Sequence, residues 1–175
     1  ESVAMTTTTY PEFVLTTLDE LAAGEWAFAK FQGIDQAYSL VMVTDKPCPR
    51  EGQESRRLLV LHEGSAGFYC STQFQRQAAQ ISGDIRIPCP LGEQAPETGH
   101  SYQPGLLYFA LSEQGLYLVA QLNVRFGAVS VMMNGTGAMD EIPDRADLWR
   151  AERVEYRAPG DNAWHELAKI DTKQE

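Results

Sequence analysis

The chain has 175 residues, about one domain's worth, with Lys plus Arg at 14, Asp plus Glu at 24 and a formal net charge of −10. At 43% hydrophobic and 22% charged residues it has ordinary globular composition, which excludes a disordered chain. The acidity excludes a nucleic-acid binder, which needs a basic face for the phosphates, and equally argues against an anionic membrane surface.

Residues before Met5 read as foreign to a native start and are set aside. No basic segment followed by an apolar one marks a signal peptide, and no apolar run is long enough to span a bilayer. Pro11 to Ala23 reads as an N-terminal helix, with Phe13, Val14, Leu18 and Leu21 on one face, Pro11 in the first turn and Gly24 as the stop. Trp26 to Phe31 then alternates as a strand, and Tyr38 to Val43 is a second. Pro47 to Ser55 is a loop. Leu58 to His62 and Phe68 to Ser71 form a hairpin turned by Gly64-Ser65-Ala66-Gly67. Phe74, Ala78 and Ile81 fall at helical spacing, so Thr72 to Ser82 is expected to be a short second helix ended by Gly83.

Asp84 to Ile87 is a brief strand, and Pro88 to Gly105 is a long loop with four prolines and three glycines. Thr98 to Met139 is the most informative segment, because its 42 residues hold one acid, Glu113, and one base, Arg125. Its strands, Leu106 to Leu111, Leu116 to Leu122 and Val124 to Met133, form a meander apolar on both faces in places. Residues 1–97 carry −6, residues 140–175 carry −4 and the segment between them carries none. Asn134 to Gly137 breaks the last of those strands, and Asp140 to Asp147 is acidic, with one helical turn at Pro143. Trp149 to Ala158 alternates charged and apolar residues like an edge strand, Pro159 to Asn162 is a turn, and Ala163 to Ile170 is the last strand. About ten strands and two helices result. The expected fold is α+β and β-rich: one domain over residues 1–175, an antiparallel meander forming a barrel or sandwich, with disordered tails at 1–9 and 171–175.

Few motifs carry chemistry. Cys48 and Cys89 each sit between two prolines, open either to a disulfide between two loops or, the reading taken, to two reduced cysteines; Cys70 reads as a buried strand residue. His62 lies three residues before Ser65, but Gly64 to Gly67 is not a nucleophile elbow. A thiol–imidazole pair of Cys89 and His100 is conceivable within one loop. His62, His100 and His165 lack metal-ligand spacing, and Asp140, Glu141, Asp144 and Asp147 lack the order of a calcium loop. Asn134-Gly135-Thr136 reads as a turn that also fits a glycosylation sequon, without the lysine of a phosphate loop. No metal or cofactor is expected.

Gly24-Glu25-Trp26 ahead of a strand resembles the G-x-W opening of lipocalins and related calycin barrels, over about five residues, and no membership is drawn from it. A barrel interior would give the neutral segment a purpose, with Trp26, Tyr108, Phe109, Tyr117, Phe126 and Met132 as ligand-binding wall residues beside Met133; plain core packing is the alternative. Three functions follow. The first is a non-enzymatic binding protein holding a small apolar molecule. The second is an acidic interaction module of inhibitor, immunity or adaptor type that meets a basic protein surface. The third is an enzyme using Cys89, His100 and Tyr102 of the Pro88 to Gly105 loop. A homodimer is allowed, and cytoplasmic residence is favoured over secretion.

Overall fold

A computed structural model describes residues 12–30, 38–44, 56–71, 77–98, 102–122, 128–132, 138–139 and 145–172. The described residues form a mostly antiparallel β structure of three sheets. Among the described residues there is no α-helix and no closed barrel.

The first sheet has six strands: β1 (Glu12–Thr17), β2 (Trp26–Ala29), β3 (Ser39–Val43), β4 (Arg56–His62), β5 (Ser65–Ser71) and β6 (Gln77–Ser82), in the order β1-β6-β2-β3-β4-β5. Both helices expected from the sequence are therefore corrected to strands. The Pro11 to Ala23 segment is β1 followed by a short 3-10 turn at Leu18–Glu20, and the second helix is replaced by β6, residues 72–76 lying outside the described residues. The reason is tertiary. β1 and β6 pair along their whole length, Glu12 opposite Ser82 through Thr17 opposite Gln77. Phe13, Val14, Thr16 and Thr17 are β-formers, and the pairing satisfies their backbone where a lone helix would have only a weak amphipathic stripe. Gly24, at φ +89°, turns the chain into β2 and donates its N–H to the Val43 carbonyl at 2.8 Å. β4 and β5 form the expected hairpin, but the turn is Glu63-Gly64, both at positive φ (49° and 86°), and Ser65, Ala66 and Gly67 belong to β5.

The second sheet holds β8 (Tyr108–Ser112), β9 (Gly115–Gln121), β10 (Ala128–Met132), β11 (Ala138–Met139) and β12 (Asp147–Arg150), in the order β11-β10-β9-β8-β12. This is the neutral meander. The third sheet holds β7 (Asp84–Arg86), β13 (Arg153–Arg157) and β14 (His165–Lys169), with β13 in the middle. The single edge strand expected over Trp149 to Ala158 is thus two strands in different sheets, because the chain bends at Ala151-Glu152. Ala151 is fully buried and donates its N–H to the Leu107 carbonyl at 2.8 Å, while the Glu152 carbonyl accepts from Ile170 at 2.9 Å. The acidic turn at Pro143, the break at Asn134 to Gly137, Phe126 and the tail 1–9 lie outside the described residues; Asp171 donates its N–H to the Gly64 carbonyl at 2.8 Å.

One apolar cluster is shared by all three sheets. It draws Leu40, Met42, Leu59, Leu61 and Phe68 from the first, Phe109, Leu118 and Ala120 from the second and Val154 from the third. The outer face of the first sheet is buried separately, with Leu18 and Leu21 lying over Ala27, Ala29, Val41, Val43, Leu58 and Val60. β3 is consequently buried along its whole length. A third cluster, with Tyr108, Ala110, Tyr117, Val119 and Leu148, fills the outer face of the second sheet under Tyr102 of the long loop. Replacing Phe109, fully buried, by alanine should cost about 3–5 kcal/mol in a denaturant titration.

The second bend is Gly83, where the chain leaves β6 for β7. Its φ is +109°, and a Cβ there would lie 2.4 Å from the Arg157 carbonyl oxygen. Gly83→Ala should destabilise by about 1–3 kcal/mol, with the loss read from the shift of the urea midpoint.

Candidate functional site

The residues singled out from the sequence fall in different places. Trp26 and Phe109 face the central cluster, Trp26 partly buried and Phe109 fully. Tyr108 and Tyr117 face the opposite side of the second sheet, since neighbours along a strand point to opposite faces. Phe126 and Met133 lie outside the described residues, and Met132 is placed only as the last residue of β10, paired with Tyr117. The structure therefore brings Trp26 and Phe109 into one cluster and Tyr108 and Tyr117 into another.

His62 finds a serine, but not Ser65. Its Nδ1 is 3.0 Å from the Ser39 hydroxyl, and its Nε2 is 4.0 Å from the Glu63 carboxylate. Ser39 is only 2% exposed, so no substrate carbonyl can reach its oxygen, and the trio ties β3 to β4. Cys89 is a free thiol; burial pushes its pKa up, against a backbone hydrogen bond from Leu91. His100 and Cys48 lie outside the described residues. Tyr102 packs edge-on against Tyr108 at 5.4 Å, and its phenol is raised by burial and by Tyr108. The described residues contain no group of three or more metal-ligating side chains, and no helix long and apolar enough to cross a membrane.

Two neighbouring concavities are lined by described residues. One, of about 710 Å³, opens between Ser65, Gly105, Glu152, Lys169 and Asp171; the other, of about 330 Å³, lies beside Gln94, Glu97, Trp149 and Arg150. Both are wide and predominantly polar. Structural bonds tie together the lining of the second: Trp149 Nε1 donates to the Gln94 carbonyl at 3.0 Å, and Arg150 pairs with Glu97 at 3.0 Å and donates to the Thr172 carbonyl.

The exposed face of the third sheet is a closed ion network. Arg86 and Arg157 stack on the Trp164 ring at 4.0 and 4.8 Å from its centre, while Arg157 pairs with Asp84 at 2.6 Å and Arg86 with Glu155 at 2.9 Å. Burial alone would raise the Glu155 carboxyl, but the hydrogen bonds and charges of Arg86 and Arg153 outweigh it and hold the group below the ordinary carboxylate range.

β1 is different in kind. It has β6 on one side and no described strand on the other. Its central residues carry no charge, and Phe13, Val14 and Leu15 are 50%, 55% and 72% exposed. Leu15 lies at the end of a cross-strand row on the core face: Leu61 and Leu40 are 6% and 3% exposed, Phe28 and Ala79 are half-buried, and Leu15 stands in solvent. In the next row Phe13 pairs with Ile81 and meets the Phe28 ring edge-on at 5.8 Å. The apolar interior of the first sheet thus runs outward into an uncovered margin. Native edges are normally blunted by charge, proline or a bulge. The outer strand β14 follows that rule with His165, Glu166 and Lys169, whereas β1 carries a charge only at its first residue, Glu12, and none along Phe13 to Thr17. Phe13, Val14 and Leu15 all lie within the Pro11 to Ala23 segment expected to be helical, and so outside the candidate residues that the sequence singles out. The concentration of β-branched and aromatic residues, Phe13, Val14, Thr16 and Thr17, is the signal that points to a strand.

A pKa depressed on folding makes Glu155 stabilising above its unfolded value, and that contribution is lost as pH falls through the folded value. Glu155→Gln should therefore lower stability at neutral pH by no more than about 1 kcal/mol, since its arginine partners are largely exposed, and flatten the acid limb of a stability–pH curve. The raised Cys89 thiol should alkylate with iodoacetamide more slowly than free cysteine at pH 7 in a Cys48→Ser/Cys70→Ser background. Comparison of the chain with protein-family models, with curated proteins and with solved structures finds no match.

Proposed function

We propose that this protein is a non-enzymatic interaction module that holds a protein partner at the free margin of its first sheet. The observation that carries the reading is the outer edge of strand β1, which no described strand pairs, with Phe13, Val14 and Leu15 all at least half exposed. Exposed apolar surface continuous with a core marks an interaction site more often than scattered surface residues do. An open edge also offers backbone N–H and C=O groups in a row, which a partner strand can pair.

The net charge of −10 supports the same reading. It keeps the free protein dispersed despite the apolar margin and steers basic surfaces towards it. A small apolar molecule fits the geometry less well, because the two concavities described above are wide and polar and the margin is a ledge rather than a pocket.

Leu15→Lys is the direct test. At 72% exposure the side chain contributes little to the core, so the thermal midpoint should stay close to that of the unaltered protein. Proteins retained from a native extract on the unaltered chain, and released by raised salt, should be absent from the Leu15→Lys chain. Retention of the same set by both would overturn the assignment to β1.

A further inference from the structure

Resting on the interaction reading above, we infer that the β1 edge takes an extended segment of a basic protein, apolar at alternate positions and bounded by Lys or Arg, as an added strand of the first sheet. Three properties of the edge specify this occupant.

Backbone comes first. β1 pairs with β6 without interruption over six residues, so its other side, which no described strand pairs, presents a regular ladder about 20 Å long. Only an extended chain matches that ladder.

The two faces come next. On the core face, Phe13 meets the Phe28 ring and Leu15 lies in the same cross-strand row as Phe28, with Trp26 half-buried in the same sheet. An incoming strand would lay every second side chain on this shelf, where burial against aromatic and aliphatic neighbours is favourable. On the other face Val14 is exposed next to Gln80, whose amide donates to Glu25. That face is mixed, so the strand's intervening residues can be polar. The alternation of the partner follows from the alternation of the site.

Charge decides between partners. Among the described residues of β1, the 3-10 turn and β6, the ionisable side chains are Glu12 at one end and Asp19 and Glu20 at the other, all exposed. A second copy of this chain fits poorly. Antiparallel pairing about the middle of β1 would bring each Glu12 towards the partner copy's acidic turn, and parallel pairing would set Glu12 beside Glu12. Like charges facing across paired strands are destabilising, and each copy brings a net −10. A strand with Lys or Arg just outside its apolar centre meets an acid at both ends instead.

A library of random dodecapeptides displayed on phage and selected on the full chain tests the inference, with the Leu15→Lys chain as counter-selection. The expected result is enrichment of peptides with alternating apolar residues between Lys or Arg. Their synthetic forms should bind at least about tenfold more weakly to Leu15→Lys and to the doubly reversed Glu12→Lys/Glu20→Lys chain, and should weaken steeply as salt rises. Near-ultraviolet circular dichroism of each variant confirms that the fold is kept. Enrichment of neutral or acidic peptides, binding indifferent to Glu12→Lys/Glu20→Lys, or no enrichment at all would overturn the inference. Sedimentation equilibrium of the unaltered chain then separates the two levels. Self-association abolished by Leu15→Lys would leave β1 an interaction edge with a second copy as its occupant, whereas a monomer that also selects no peptide would remove both readings.

Discussion

Everything in this molecule is arranged around one apolar cluster that three sheets must reach at once. Sheets alone could not do so, since each lies in its own plane. The chain solves this by bending twice within nearly continuous extended backbone, at Gly83 between β6 and β7 and at Ala151-Glu152 between β12 and β13. Each bend carries a chain from one sheet into another and locks against a neighbouring carbonyl or amide. At Gly83 the backbone approaches Arg157 closely enough to leave no room for a side chain. These two corners set the distance and angle of the third sheet relative to the others, and so fix which residues of the first sheet are covered.

The candidate site follows from that coverage. The first sheet is six strands wide, and burial of its core face fades from Leu61 and Leu40 through Phe28 to Leu15. The margin is therefore not a separate patch placed on the surface. It is the part of an interior that the opposing sheets do not reach. The outer face of the same sheet is closed by Leu18 and Leu21 of the turn that follows β1. The segment that leaves one face open is thus the one that closes the other.

That double duty explains why the sequence misled. The β-rich class, the antiparallel pairing and the neutral meander from Tyr108 to Met132 were legible, because alternation over runs of apolar residues needs no knowledge of partners. Around β1 the spacing of Phe13, Val14, Leu18 and Leu21 mimics a helical stripe, yet Leu18 and Leu21 are buried in one layer while Phe13 and Leu15 face another. A stripe assembled from residues serving two layers cannot be told from a single helical face by spacing. β6 failed for a related reason: Ala78 and Ile81 lie on opposite faces of a strand buried between β1 and β2. The aromatic residues of the meander were legible as buried. Their division between two faces depended on which sheet covered which side, and that is set by the corners.

The β1–β6 pairing also orders events during synthesis. β1 leaves the ribosome well before its partner strand, which is complete only at Ser82, after β2, β3, β4 and β5 have emerged. For that interval an uncharged run of β-forming residues has neither of its edges paired. Strands in this situation are the ones that nascent-chain chaperones cover and that misassemble when translation pauses or terminates early. A chain cut anywhere between β1 and β6 would carry an adhesive strand without the one described partner that pairs it, so the interval between the two strands is where aggregation competes with folding.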